Sequence, residues 1–502
     1  MWLVIVAGIA SFVVSVQALS LHTKRLSVEN TFRDPIPSLA GCRGVECLER
    51  FVAFDDGAFA WQPIGRVERG RTRGVPWTSH SLELRSQAWM ANDTDLAAWT
   101  HTMTVIVPNK LQLDSKQAGW TTLFVNEEAW LAQEMAARTG AVAVAVSDVP
   151  NQWLHFKSNG GLPMQEETLK AWSWTQFAKY PSHPEWPIEM PTAKAVVRAM
   201  DAVQAFFMEE GARLSHGPPP VMRFVLSGHS KRGIASYMAG AVDPRVAAII
   251  PVSHPLDLDL GGKLSYENLG QTVTAALVYD QYGVKDISGE TFVRLDSIID
   301  PVNYMDRLTM PKLLMMCGGD GFFAPDSTRT WWPSLPSPKS FYMYANSGHA
   351  GYTEPGAGGP DFLDAADAFV SGLVLGEATP ALDWSIDDAT GRITVSQVSD
   401  HTPTSVRLWY SHTRDNRTRD FRNVHWDSHE LPPLPDGDGR KWVAHMDPQE
   451  DGTWTAFFVA FSYPAPRPNG PEWRLTTENC VVPDVRPFAA APPEQRANYV
   501  FR

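Results

Sequence analysis

Between about residues 100 and 375, short apolar runs alternate with longer amphipathic stretches. The runs are MTVIV (103–107), TTLFV (121–125), AVAVAV (141–146), MRFVLS (222–227), AAIIPVS (247–253), KLLMMC (312–317) and SFYMYA (340–345). Continuous apolar runs of this length, separated by helix-length segments, predict buried strands of a mainly parallel sheet covered by helices. AKAVVRAMDAVQAFFMEEG (193–211) spaces its apolar residues by three and four and stops at Gly211, which predicts an amphipathic helix just before the fourth run. Residues 150–192 are rich in Trp and Pro and poor in strand signals, so they read as a cap over the C-terminal edge of the sheet. Beyond TEPGAGGP (353–360) and a helix near 361–375, the pattern changes to RITVSQV, SVRLWYS, KWVAHM and TWTAFFVAFS. These alternating runs predict a small antiparallel β-sandwich over 380–485, followed by a tail at 486–502.

Seven buried runs with intervening helices suit an α/β-hydrolase sheet, with the catalytic unit extending from 20 to 379. The chain has 502 residues, 44% apolar and 20% charged, enough for a large core plus a second unit. The formal net charge is −13 and no Lys/Arg stripe tracks a phosphate backbone, so nucleic acid is not an expected partner. Residues 1–19 are apolar and end in small residues, with Val16 and Ala18 placed for signal-peptidase cleavage. Secretion is therefore expected, without stable membrane insertion once the leader is removed. Four cysteines fit an oxidising compartment; Cys42 with Cys47 is the most plausible bridge, and Cys317 reads as a buried thiol. Asn92 and Asn416 head N-x-T sequons. No zinc-ligand spacing occurs, and neither a metal nor a cofactor is expected.

The strongest chemical signal is MRFVLSGHSKRGIASYMAGAV, where a strand runs through Gly228, His229, Ser230, Lys231, Arg232 and Gly233 into a helix. A nucleophile elbow needs this strand, sharp turn and helix. Arg232 stands where the last glycine of G-x-S-x-G would be, and Gly233 follows one residue later. Downstream, Asp320 sits in a glycine-rich turn after a buried strand, and His349 in a loop after the last strand. Ser, Asp and His thus occur in the order of an α/β-hydrolase triad: nucleophile, orienting carboxylate and general base. Asp326 and Asp300 are rival acids that read as a helix cap and a turn residue, and His254, His229 and His155 are rival bases that do not follow the last strand. The oxyanion hole is expected from the amides of Lys231 and Asn126. Arg232, Trp153, Trp172 and Trp186 are candidate substrate contacts, with Trp174 in the same crowd. Core packing is the competing reading of the tryptophans.

The segments VPNQWLHF (149–156), HPEWPIEMPTAKAVVRAMD (183–201), SGHSKRG (227–233), AVDPRVAAIIPV (241–252), DPVNYMDRLTMPKLLMMCGGDGFFAPDS (300–327) and NSGH (346–349) together resemble the PhoPQ-activated pathogenicity-related proteins of bacteria, a family that takes in the autocrine proliferation repressor proteins of social amoebae. The resemblance implies an α/β-hydrolase with Ser230 as nucleophile, and Asp320 and His349 at matching positions. This chain departs from the family at His229, where alanine is typical, and at Asn126, Glu127 and Glu128, which replace a glycine-rich turn. Three functions stand open: an esterase, a serine peptidase similar to dipeptidyl peptidases, and a secreted signalling protein with a cell-surface receptor. The peptidase needs an acidic pair to grip a substrate N-terminus, for which Glu166 with Glu167, or Glu127 with Glu128, are the candidates. The expected small-molecule partner is an ester or a peptide.

Overall fold

The computed structural model describes residues 36–111, 115–210, 223–271, 273, 276–351, 359–435 and 438–490. The leader at 1–19, Gly211 and the end of the tail lie outside the described residues. Nine strands form one sheet: β1 (Ala60–Thr72), β2 (Val75–Ala88), β3 (Ala98–Pro108), β4 (Trp120–Val125), β5 (Val142–Val146), β6 (Arg223–His229), β7 (Val246–Val252), β8 (Lys312–Cys317) and β9 (Lys339–Tyr344). Their spatial order is β1-β2-β3-β5-β4-β6-β7-β8-β9. The first three strands are antiparallel, and from β5 onward every pairing is parallel. That order, with β5 ahead of β4 and helices on both faces, is the α/β-hydrolase architecture. All seven expected runs are strands; β1 and β2 are two more, and β1 is largely exposed, so it carries no apolar run.

The helices are α1 (Val45–Ala53), α2 (Ala129–Thr139), α3 (Glu166–Lys179), α4 (Glu189–Glu210), α5 (Lys231–Val242), α6 (Leu258–Leu269), α7 (Leu277–Gln281), α8 (Gly289–Ile299) and α9 (Gly359–Leu375). Side chains alternate across a strand, and the parallel strands are apolar on both sides, so the sheet builds two cores. Val142, Val144 and Val146 face the core shared with α1, α4 and α5, while Ala143 and Ala145 face the other, shared with α2 and α9. Leu314 and Met316 likewise oppose Leu313 and Met315. Cys42 and Cys47 are joined in a disulfide with a Cα–Cα distance of 5.0 Å, and Cys317 and Cys480 are buried thiols.

The C-terminal part forms two antiparallel sheets. One comprises β10 (Leu382–Asp387), β11 (Arg392–Gln397) and β14 (Lys441–His445). The other comprises β12 (Ser405–His412), β13 (Asp427–Glu430), β15 (Thr455–Tyr463), β16 (Trp473–Thr476) and β17 (Cys480–Val482). Inner side chains of both sheets, Val395 and Trp442 of the first and Phe457 and Phe461 of the second, join the same core as α2 and α9.

Polar contacts fix this unit to the sheet. The buried guanidinium of Arg419 makes a two-pronged pair with Asp326, at 3.0 and 2.8 Å, and Arg486 adds a third bond at 2.9 Å. Burial alone would raise the carboxyl pKa of Asp326, but the two arginines hold it well below the usual carboxylate range. Asp326 is thus an interface anchor, not the helix cap read from sequence. Removing one member of a buried pair strands the other's charge. Asp326→Ala should therefore lower unfolding stability by roughly 3–5 kcal/mol in chemical denaturation; a loss under about 1 kcal/mol would show that this pair does not hold the two units together.

Candidate active site

The strand β6 delivers Ser230 through a turn that only certain residues can make. A Cβ on Gly228 would lie 2.4 Å from the carbonyl oxygen of Arg232, so that position must be glycine. Ser230 itself has φ +55° and ψ −127°, a sparsely populated conformation for an L residue. Two backbone bonds hold it there: its N–H donates to the Val252 carbonyl at 2.8 Å, and the Gly233 N–H donates to the Ser230 carbonyl at 2.7 Å. Displacement of the second glycine by one residue also has a local reason. A Cβ at Gly233 would meet His254 Cβ at 3.2 Å and the Gly228 carbonyl at 3.3 Å, whereas Arg232 faces the cap.

The loops after β8 and β9 bring two partners to this serine. His349 Nε2 lies 2.9 Å from Ser230 Oγ, and His349 Nδ1 lies 2.9 and 3.0 Å from the two Asp320 carboxylate oxygens. A carboxylate only accepts, so Nδ1 carries the proton and Nε2 presents its lone pair to the serine hydroxyl. Asp320 is buried, and its Oδ1 also accepts from the amides of Phe322 and Phe323 at 2.8 and 3.2 Å. The Phe322 ring lies 4.2 Å from the imidazole. His229 donates from Nε2 to the His349 carbonyl, and burial, together with the neighbouring His349, lowers its pKa to about 4. The C-terminal unit braces both loops: Asn346 and Trp426 exchange two hydrogen bonds, at 3.0 and 2.8 Å, and a Cβ on Gly318 would meet the Trp426 ring at 2.9 Å.

Lys231 opens α5, so its amide has no acceptor within the helix. Asn126 is corrected: its N–H donates to Val146 at 2.6 Å and its Oδ1 accepts from Val149 at 2.9 Å. Both groups brace the turn after β5, and the backbone amide is not available to an oxyanion. Trp172 and Trp186 are also corrected, because they are 5% and 0% exposed in an aromatic cluster with Trp89, Trp99 and Phe156. Trp174 is buried as well, donating to Glu189. Trp153 is the exception, 49% exposed.

Of the rival residues, Asp300 is a buried cap that accepts from the amides of Leu258 and Val302, and burial followed by the nearby Asp296 pushes its pKa up to about 7. His155 pairs with Asp95 at the surface. His254 is buried beside the site, its ring 5.2 Å from Phe323.

Sequence reasoning missed how Glu166 and Glu167, at the start of α3, meet the elbow. Arg232 forms a bidentate pair with Glu166 at 2.8 and 3.0 Å, and Lys231 bridges Glu166 and Glu167 at 2.5 and 2.7 Å. Tyr279 of α7 donates to Glu167, and Gln152 donates to Glu166 at 2.8 Å. The cations beside Ser230 are thus engaged by the cap, and no spacing in the sequence links 166 to 231. Glu128 is an exposed N-cap of α2, the role of a solvated helix start.

A family model described as PhoPQ-activated pathogenicity-related protein matches residues 48–422. Autocrine proliferation repressor protein A of Dictyostelium discoideum is 29% identical over 483 residues, covering 88% of this chain and 92% of that protein. Among solved structures, acetyl xylan esterase from Paenibacillus sp. R4 aligns with a TM-score of 0.46 at 15% identity, over 66% of this chain and 93% of that one. A glucuronoyl esterase from Solibacter usitatus aligns with a TM-score of 0.37 at 13% identity, over 62% of this chain and 86% of that one. With its match spanning sheet, elbow and both partner loops, the chain belongs to the PhoPQ-activated pathogenicity-related protein family.

Proposed function

We propose that this protein is a secreted serine esterase that works through an acyl-enzyme. The observation that carries the proposal is the chain from Ser230 Oγ to His349 Nε2 to Asp320, closed at hydrogen-bond distances on a strained elbow. A serine hydroxyl is a poor nucleophile until a base takes its proton as it attacks. Here His349 takes that proton, Ser230 Oγ bonds to the ester carbonyl carbon, and Asp320 stabilises the imidazolium. The negative oxygen of the tetrahedral intermediate is met by the Lys231 amide at the N-terminus of α5. Collapse expels the alcohol, which takes the proton from Nε2, and a water deprotonated by His349 then releases the acid from Ser230. Exposure of Asn92 and Asn416 is consistent with glycosylation on a secretory route.

The acidic pair separates esterase from peptidase. A dipeptidyl-type enzyme needs unneutralised carboxylates to hold a substrate ammonium, whereas Glu166 and Glu167 are already paired with Lys231 and Arg232. An ester needs no such grip. The name of the amoebal relative supports a second reading, in which the protein signals through a cell-surface receptor and hydrolysis is incidental.

Fluorophosphonate labelling of the wild-type protein is expected at Ser230 and should vanish in Ser230→Ala, with ester kcat/KM falling by at least about 10³-fold. A folded wild-type protein that fails to label would overturn the esterase and leave signalling. On a panel of p-nitrophenyl esters and dipeptide amides, esters should turn over faster; the reverse ranking would favour the peptidase.

The cap contacts also set an acid limit. Burial alone would raise the Glu167 pKa, but Lys231 and Lys170 lower it to about 2, against roughly 4.3 when unfolded. A depressed carboxyl pKa contributes stability that is fully present above the unfolded value and is lost as pH falls toward the folded one. The wild-type Tm should therefore drop more steeply between about pH 4.5 and 2.5 than that of Glu167→Gln, followed by thermal unfolding. Parallel curves would remove this pair from the acid response.

A further inference from the structure

His229 is the last residue of β6, one peptide bond before Ser230, and its side chain touches His349 twice. Its ring lies against the His349 imidazole, with centroids 4.9 Å apart and planes inclined by 53°. Its Nε2 lies 2.5 Å from the His349 backbone carbonyl. A carbonyl only accepts, so Nε2 carries a proton. Burial, then the adjacent His349, lowers the pKa of His229 to about 4, so the ring is neutral at neutral pH and its proton belongs to that bond.

These contacts close a ring of bonds. Ser230 Oγ meets His349 Nε2 at 2.9 Å, the His349 main chain leads to the carbonyl held by His229, and one peptide bond leads from His229 back to Ser230. A shift of the loop that carries His349 away from the serine therefore strains the His229 bond as well. Donor and serine share one rigid support: His229 is in register with Val252 of β7, and the Ser230 N–H donates to the carbonyl of the same residue at 2.8 Å.

The other ties on this loop act elsewhere. Asn346 and Trp426 exchange hydrogen bonds upstream, and the Gly319 N–H donates to the Ser347 carbonyl at 2.9 Å. Asp320 holds the imidazole through Nδ1, from the turn after β8. The bond from His229 acts on the main chain at position 349 itself, and it comes from the strand that delivers the serine.

We propose that His229 is a positioning residue: by tying the His349 carbonyl to the end of β6, it sets the distance over which the Ser230 proton passes to His349. This rests on the esterase reading and assigns that site one more working part. A hydrogen bond between neutral groups adds only about 1 kcal/mol to stability, but a misplacement on the order of 1 Å can cost about 10²-fold in rate.

The test compares the full-length wild-type protein with His229→Leu and His229→Gln on p-nitrophenyl acetate. Leucine fills the space without a donor; kcat should fall by about 10- to 100-fold while KM stays within about twofold, the pattern of an interaction felt in the transition state. Fluorophosphonate labelling should slow in parallel, because it draws on the same proton transfer. Glutamine, whose amide N–H can reach the same carbonyl, should exceed leucine by at least about threefold in kcat. Wild-type kcat in His229→Leu overturns the proposal, as does His229→Gln no faster than His229→Leu, or a raised KM with kcat unchanged. Should His229→Leu fail to fold, nitrogen NMR of the wild-type histidine rings decides: a neutral His229 protonated at Nε2 supports the assignment, and a neutral ring with Nε2 unprotonated overturns it. A folded wild-type protein that neither labels nor cleaves any ester fails at the esterase reading itself, a separate result.

Discussion

The arrangement of Ser230, His349 and Asp320 depends on the backbone at Ser230, which turns from β6 into α5 in a conformation an L residue seldom adopts. The strain persists because surrounding contacts over-determine it. Gly228 allows the Arg232 carbonyl to approach, Val252 holds the serine amide, and Gly233 closes the turn against His254. Each of these partners belongs to a different element, so the elbow exists only when β6, β7 and α5 are packed. Folding and presentation of the Ser230 hydroxyl are therefore one event, and the two cores on either side of the sheet supply the burial that keeps the turn strained.

Asp320 and His349 reach Ser230 on loops, and loops need external support to hold hydrogen-bond geometry. The C-terminal sheets supply it. Trp426 presses on Gly318, two residues before Asp320, and exchanges hydrogen bonds with Asn346, three residues before His349. Arg419 and Arg486 clamp Asp326 on the far side of the same acid turn. A unit with no group in the Ser230–His349–Asp320 chain thus fixes the distance between two groups that belong to it.

The parts legible in the sequence were those written in local pattern. Seven buried strands show as apolar runs because a strand covered on both faces has little polar side, whether parallel or, as in β3, antiparallel, and the elbow shows because its glycines are required sterically. β1 escaped because it is largely exposed and pairs along one side only. Asn126 was misread because its positive φ and its two bonds to the turn after β5 are tertiary facts. Trp172 and Trp186 crowd the same stretch of chain as Trp153, but composition does not say which ring faces inward, and only Trp153 faces out. The pairing of Glu166 with Arg232 spans 66 positions and is set by how the cap lands on the elbow.

That landing explains how two cations can follow Ser230 without leaving full charges beside it. Lys231 and Arg232 left unpaired would bind any passing anion and place uncompensated positive charge near the His349 imidazole, which opposes its protonation. Glu166 and Glu167 neutralise them from across the cleft while leaving the Lys231 amide, a partial charge aimed by α5, free of that competition. The arrangement separates two parts of one lysine: its backbone amide lies unpaired within the helix at the N-terminus of α5, and its side chain ties down the cap. A glycine at position 232, as the usual elbow has, could serve the turn but not the cap. The displaced glycine at 233 is therefore the signature of an elbow that also anchors the cap segment through Glu166.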